Sequence, residues 1–285
     1  MLFRLIGPIS IGLVMIATAS LAHDTRPLGD DKLSQSPKRG FLYACRPANP
    51  NAPGAQRVGP WINGNNVDMA AKIAVQGAVS WPDAAFDVTV SQATREIDAN
   101  NLPLHHTGYF PIRRDDPAYQ YDRNPNEIRA QRFAAVLPLE PRPAPQPSCV
   151  PMGIVGFTLN NVVLFNAVDA RGQDAAAHEL LDSCGGHPAR RGVYHYHDRS
   201  PCLSDEREAS GHSVLVGYAI DGFGIYGAHE TAGDVEITNA ELDECHGHVG
   251  PVEWNGRVTE VYHYHLNDEF PFSIGCLRGV PISMH

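Results

Sequence analysis

The chain has 285 residues, a formal charge of −10 and a mostly polar, turn-rich composition with 26 glycines and 23 prolines. That charge, with no basic run, excludes a general nucleic-acid binder. Long amphipathic helices are missing, so short strands and many turns are expected.

Arg4 and the uncharged, largely apolar stretch from Leu5 to Leu21, ending in Ser20-Leu21-Ala22, read as a signal peptide over residues 1–22. The expected location is therefore secreted or periplasmic, with no membrane span once the signal is cleaved. In an oxidising compartment the six cysteines favour three disulfides over free thiols. Cleavage after Ala22 would leave His23 as the first mature residue, where its amine and imidazole can chelate copper.

The mature chain, roughly 260 residues, can bury one large core or two small ones. Residues 23–40 read as a loose arm and residues 41–137 as a β-rich part. Within the latter, Asn63-Gly64 predicts a hairpin turn, and residues 72–79, 86–90 and 132–137 read as strands. Asn124-Pro125 predicts the start of a short helix, and His105-His106 falls in a loop. Six prolines between Pro138 and Pro151 predict an extended connector at the main internal boundary, or a strap across one domain.

Residues 152–285 carry a repeat. Val193-Tyr194-His195-Tyr196-His197 returns as Val261-Tyr262-His263-Tyr264-His265. The blocks beginning at Gly156 and Leu181 recur 61 positions later, at Gly217 and Leu242. Repeat 1 covers about residues 154–206 and repeat 2 about 211–280. Each predicts a hairpin, joined by Asn160-Asn161 or Asp221-Gly222 in a type I′ turn. A short helix follows, capped by Asp174 or Asn239, then a Cys-x-x-His turn, the tetrad strand and a closing cysteine. The expected fold is mostly β: an antiparallel sandwich or barrel built from two duplicated hairpin units with pseudo-twofold symmetry and few short helices. Equivalent cysteines would pair as Cys184–Cys202 and Cys245–Cys276, leaving Cys45–Cys149, although six cysteines allow fifteen pairings.

On a strand the two histidines of each tetrad share one face and the tyrosines Tyr194 and Tyr262 share the other with their neighbours. Imidazole is a common ligand for zinc and copper, so His195, His197, His263 and His265 are candidate metal ligands, with His187 and His248 completing the shell. With the cysteines oxidised, the donors suit Zn or Cu(II) better than Cu(I). The bland alternative is a half-buried strand whose histidines hydrogen-bond to neighbours.

The tetrads, with Gly217 to Gly227 between them, resemble the YHYH-domain family of exported proteins. The similarity extends upstream through Pro103-Leu104-His105 and Asn124-Pro125-Asn126, spanning about residues 60–280. It implies that His105, His195, His197, His263, His265 and Asp221 occupy family motif positions. Repeat 1 departs at Asn160-Asn161, where repeat 2 has Asp221-Gly222.

Three functions compete. The first is an exported protein holding copper or zinc. The second is a metal-dependent or Tyr/His acid–base hydrolase or lyase, acting on a small-molecule or polymer substrate. The third is a non-catalytic β-rich interaction module with structural histidines. Gly-x-Ser-x-Gly, His-Glu-x-x-His and P-loop motifs are absent.

Overall fold

The computed structural model describes residues 25–230 and 235–282. The signal-peptide reading and His23 fall outside the described residues. Among those described, no helix is long and apolar enough to cross a membrane.

The fold is mostly β, as the turn-rich composition predicts. The N-terminal part holds β1 (Thr25–Pro27), β2 (Leu33–Ser34), β3 (Leu42–Tyr43), β4 (Ile62–Asn63), β5 (Asn66–Asp68), β6 (Phe86–Val90), β7 (Thr94–Ala99) and β8 (Phe133–Pro138). They form small sheets ordered β1-β5-β4, β2-β3 and β6-β7-β8. Gly64, at φ 56°, makes the expected β4–β5 turn. Two sequence expectations fail here. Residues 72–79 form only isolated bridges, Val75 to Asp182 and Val79 to Thr107, and a 3-10 turn lies at Pro117–Gln120 while residues 124–127 belong to no helix or strand. Asp116, not Asn124, accepts the capping bond, from the Ala118 amide.

One eight-stranded sheet carries the rest: β9 (Ile154–Thr158), β10 (Val163–Phe165), β11 (Gly186–Pro188), β12 (Tyr194–Tyr196), β13 (Leu215–Ala219), β14 (Gly224–Tyr226), β15 (Gly247–Trp254) and β16 (Arg257–His265). Its order is β11-β12-β10-β9-β13-β14-β16-β15. The sheet is mixed, because β10–β12 and β14–β16 pair parallel while the remaining neighbours pair antiparallel. At its centre β9 and β13 approach closely. A Cβ on Gly217 would lie 2.5 Å from the Phe157 carbonyl oxygen, so only glycine fits.

Both hairpins form where expected, but only Asn161 (φ 65°) and Gly222 (φ 92°) have positive φ, so neither loop is the type I′ turn, which needs two such residues. The first short helix is α1 (Ala175–His178), capped by Asp174 accepting from the Ala177 amide. Its expected counterpart after Asn239 is a turn. The Asn239 amide side chain instead donates to the Phe270 carbonyl, and so caps nothing.

The proline-rich stretch runs across the molecule as a bonded strap: Leu139 N–H donates to Ala93, Ala144 to Arg278, Ser148 to Leu277 and Val150 to Tyr43. A single apolar cluster joins Leu42, Ile97 and Leu137 before the strap with Phe157, Tyr194, Phe223 and Tyr264 after it. Three disulfides, Cys45–Cys149, Cys184–Cys202 and Cys245–Cys276, tie the chain.

Candidate metal centres

Each tetrad strand lies second from an edge of the large sheet, with a histidine-bearing edge strand beside it. Cross-strand register sets His187 opposite His195, and His248 opposite His263. Directly opposed side chains are close neighbours, so each pair reaches the same point as the second tetrad histidine.

In the first cluster the His195 Nε2 atom is 3.0 Å from Nε2 of both His187 and His197. Glu179, just past α1, places Oε2 3.2 Å from Nε2 of His187 and of His197. In the second cluster His248 Nε2 lies 3.1 Å from His263 Nε2 and 3.2 Å from His265 Nε2. His212 Nε2 adds a contact of 3.3 Å to His263. Glu230 Oε2 lies 3.1–3.3 Å from Nε2 of His212, His248 and His265.

The opposite ring nitrogens explain this arrangement. Nδ1 of His195, His197, His212, His263 and His265 contacts the backbone carbonyl of Val193, Asn166, Ser213, Val261 and Gly227 respectively, at 2.6–3.1 Å. A carbonyl only accepts, so each Nδ1 carries the proton and each Nε2 of a neutral ring turns a lone pair inward. Among these five rings acceptors then face acceptors, while His187 Nδ1 is buried without a partner and no carbonyl fixes its tautomer. Oε2 of both Glu179 and Glu230 is buried without a hydrogen bond of acceptable geometry. Tetrahedral ligands on bonds of about 2.0–2.1 Å would be about 3.3 Å apart, close to the spacings above. Both groups of side chains could hold a metal ion.

Electrostatics follow the same geometry. Burial pushes the Glu179 carboxyl up, but the His187 and His197 rings outweigh it and hold the group well below the usual carboxylate range. The Glu230 carboxyl is likewise pulled down, by His212, His248 and His265 against its burial. Burial and neighbouring rings depress His195, and take His263 down to about 2. Burial also dominates at His265, which is lowered. At His197 and His212 the adjacent glutamates win over burial, and both are raised.

The other sequence-predicted residues lie elsewhere. Tyr194 and Tyr262 point away from the histidines and donate to Asp182 and Asp243, at 2.9 and 3.0 Å. Those carboxylates also accept the backbone amides of the Cys-x-x-His turns, from Cys184 and Gly186 and from Cys245 and Gly247. The tyrosines thus brace the turns that aim His187 and His248. His105 sits on the tyrosine face, its Nε2 2.5 Å from the Tyr196 hydroxyl and its Nδ1 donating to the His106 carbonyl. It also lies near Cys184 and Cys202, but that pair is a disulfide and offers no thiolate. Asp221 accepts from the Tyr264 hydroxyl at 2.7 Å and from the Gly279 amide at 2.8 Å. Neither His105 nor Asp221 joins a cluster.

The family model for YHYH protein matches residues 134–238. The chain carries a YHYH domain. No curated protein and no solved structure matches the chain. The matched part of the YHYH domain includes the first cluster with its Glu179, and also His212 and Glu230. It ends before β15 and β16, so His248, His263 and His265 lie beyond it.

Sequence reasoning missed Glu179, Glu230 and His212. A glutamate among 32 acidic residues carries no periodic signal. His212 has no counterpart either, since the residue 61 positions earlier is Pro151.

Proposed function

We propose that this is an exported protein that binds two transition-metal ions, one held by His187, His195, His197 and Glu179 and the other by His212, His248, His263, His265 and Glu230. The observation that carries this reading is the inward convergence of imidazole lone pairs whose protons are committed to backbone carbonyls. A purely structural cluster would pair each acceptor with a donor; a cation placed among them would satisfy three or four acceptors together. Neutral nitrogen with one carboxylate suits Zn or Cu(II). The two tetrads hold separate ions rather than sharing one, because each tetrad meets its own edge strand and its own glutamate.

Three disulfides agree with export to an oxidising compartment. Untagged protein from the periplasm or medium should contain close to two equivalents of metal by elemental analysis. His195→Ala and His263→Ala should each remove one, and the double variant both. Protein with no metal, whose melting temperature stays put on adding Zn²⁺ or Cu²⁺, would sink the proposal.

A further inference from the structure

The two clusters differ in what lies above them. Glu179, His187, His195 and His197 form the floor of a cleft of about 540 Å³. The ring of Phe165 stacks on His195, with centroids 3.9 Å apart and planes 26° from parallel, and makes one apolar wall. Pro188 and Val168 extend it. Arg123 and Arg190 stand at the rim, both exposed. Asp169, also on the wall, is already engaged by the Arg171 guanidinium at 3.0 Å and by the amides of Arg171 and Gln173.

At the second cluster a strand backbone runs close by, while the side chains of His248 and Glu230 keep 22% and 29% exposure, against 6% and 16% for His187 and Glu179. A Cβ on Gly250 would sit 3.4 Å from Glu230 Oε1 and 3.8 Å from His248 Nε2, so the β15 main chain passes directly over these ligands. It also has one more protein donor than the first, His212. Four protein donors already make a tetrahedral shell, so an outside ligand at the first site is a fifth, an expansion that zinc sites can make, whereas the second cluster's five donors fill that position themselves.

Resting on the metal reading above, we infer that the cleft over the first cluster is a binding site for a small organic anion of the carboxylate class, which reaches the metal there as an additional ligand. Three neutral imidazoles and one carboxylate leave a divalent ion with net charge of about +1 at the cleft floor. Guanidinium groups at the rim match a carboxylate. The Phe165 wall takes an apolar body, as such pockets commonly do. The second cluster, with His212 as a fifth protein donor, meets an outside ligand with a fuller shell.

Cobalt(II) gives the test, since its visible bands report ligand number and geometry. Metal-free protein is loaded with cobalt and titrated with benzoate. In His263→Ala, where only the first site is filled, the bands should shift saturably. In His195→Ala, where only the second is filled, they should not. In the wild-type background Ala189→Trp, which fills the cleft from its half-buried wall without touching a ligand, should take up cobalt fully and lose the benzoate response. Arg190→Ala should raise the benzoate dissociation constant several-fold. Cobalt uptake at the first site with bands indifferent to benzoate, or an undiminished response in Ala189→Trp, would overturn this inference and leave the metal reading standing. Failure to take up cobalt at all would overturn both.

Discussion

The two histidine clusters take three rings each from the same local pattern: one from the edge strand and two from the tetrad strand. Even the outer-ring contacts match, His195 with Val193 and His263 with Val261, His197 with Asn166 and His265 with Gly227. Beyond those three rings the clusters part. Glu179 comes from the residue after a helical turn, whereas Glu230 follows β14, and His212 precedes β13. Strand pairing copies a set of rings faithfully because register fixes which side chains meet. The carboxylate is recruited from whichever loop passes nearby. The loops therefore decide ligand number and what surrounds each site, four donors beneath a cleft in one and five donors in the other.

The disulfides should give the largest effects. Cys45–Cys149 joins residues 104 apart, Cys245–Cys276 joins residues 31 apart and Cys184–Cys202 joins residues 18 apart. Removing them as serine pairs should cost on the order of 3–5 kcal/mol, in that order from largest to smallest, by the chain-entropy model. Melting temperature checks the order. Metal analysis sharpens the comparison: loss of Cys184–Cys202 should weaken the first site alone and loss of Cys245–Cys276 the second alone, because each bridge anchors its own Cys-x-x-His turn. Next come the ligands. His187→Ala leaves the first cluster two rings and a carboxylate, whereas His212→Ala leaves the second three rings and a carboxylate. Competition against a chelator should show His187→Ala losing at least the roughly 10–100-fold that disturbing an outer-shell partner costs, and His212→Ala losing less. Equal losses would break the distinction between a four-donor and a five-donor site.

What was legible in the sequence depended on local pattern. The hairpins over residues 154–166 and 214–226 announce themselves through alternation and turn dipeptides, and the histidine faces follow from the two-residue period of a strand. His187 and His248 were readable because they sit at matching positions of the repeat. Glu179, Glu230 and His212 were not, since each is brought in by a tertiary path that leaves no spacing rule. His105 and Asp221 were chosen as motif positions, and their contacts with tyrosine hydroxyls show that a motif residue can serve the support rather than the cluster. No helix follows Asn239: its side-chain nitrogen donates to the Phe270 carbonyl, 31 residues away, and its oxygen accepts no backbone amide, so the cap is not made.

Acid should separate the clusters in metal-free protein. In the first, His195 is depressed and His197 raised relative to 6.5; in the second, His263 and His265 are depressed and His212 raised. His246, beside the second cluster in sequence, is buried and pushed down to about 3. A histidine with a depressed value refuses protons that the unfolded chain accepts, so its contribution is complete above about 6.5 and is lost as pH falls below it. The raised rings act oppositely: their contribution is complete below 6.5 and lost as pH rises through their higher folded values. Below 6.5 the raised rings are protonated in both states and add no slope, so the apoprotein should lose stability as pH drops from 6.5 towards 4.5, by on the order of 1 kcal/mol per depressed ring per pH unit, read as a falling melting temperature. Below 4.5 the depressed Glu179 and Glu230 carboxylates steepen the loss. His263→Asn and His195→Asn should each flatten this slope by about one ring's share, and the second cluster should keep the steeper remainder, because His265 is depressed there as well.

The smallest effect tests the opposite face of the sheet. At matching positions, repeat 1 has Asn160 donating to the Tyr196 hydroxyl at 2.9 Å, and repeat 2 has Asp221 accepting from the Tyr264 hydroxyl at 2.7 Å. Asp221→Asn therefore places in repeat 2 the group that repeat 1 already uses. The Tyr264 hydroxyl and the Gly279 N–H both meet Oδ2, so the amide oxygen can keep both only with its amino group in the Oδ1 position, where the bond from the Phe223 N–H is lost. The expected cost is about 1 kcal/mol, the net worth of one lost hydrogen bond. Asp221→Ala leaves the Tyr264 hydroxyl and the Gly279 amide without their acceptor in the core, which costs about 1–3 kcal/mol for each group. Urea denaturation gives both values. Neither change should alter metal stoichiometry, because Asp221 meets tyrosine and backbone groups on the face away from His263 and His265. Selective loss of the second metal in Asp221→Asn would show that this carboxylate acts on the cluster, and the division of each tetrad into a ligand face and a supporting face would have to be abandoned.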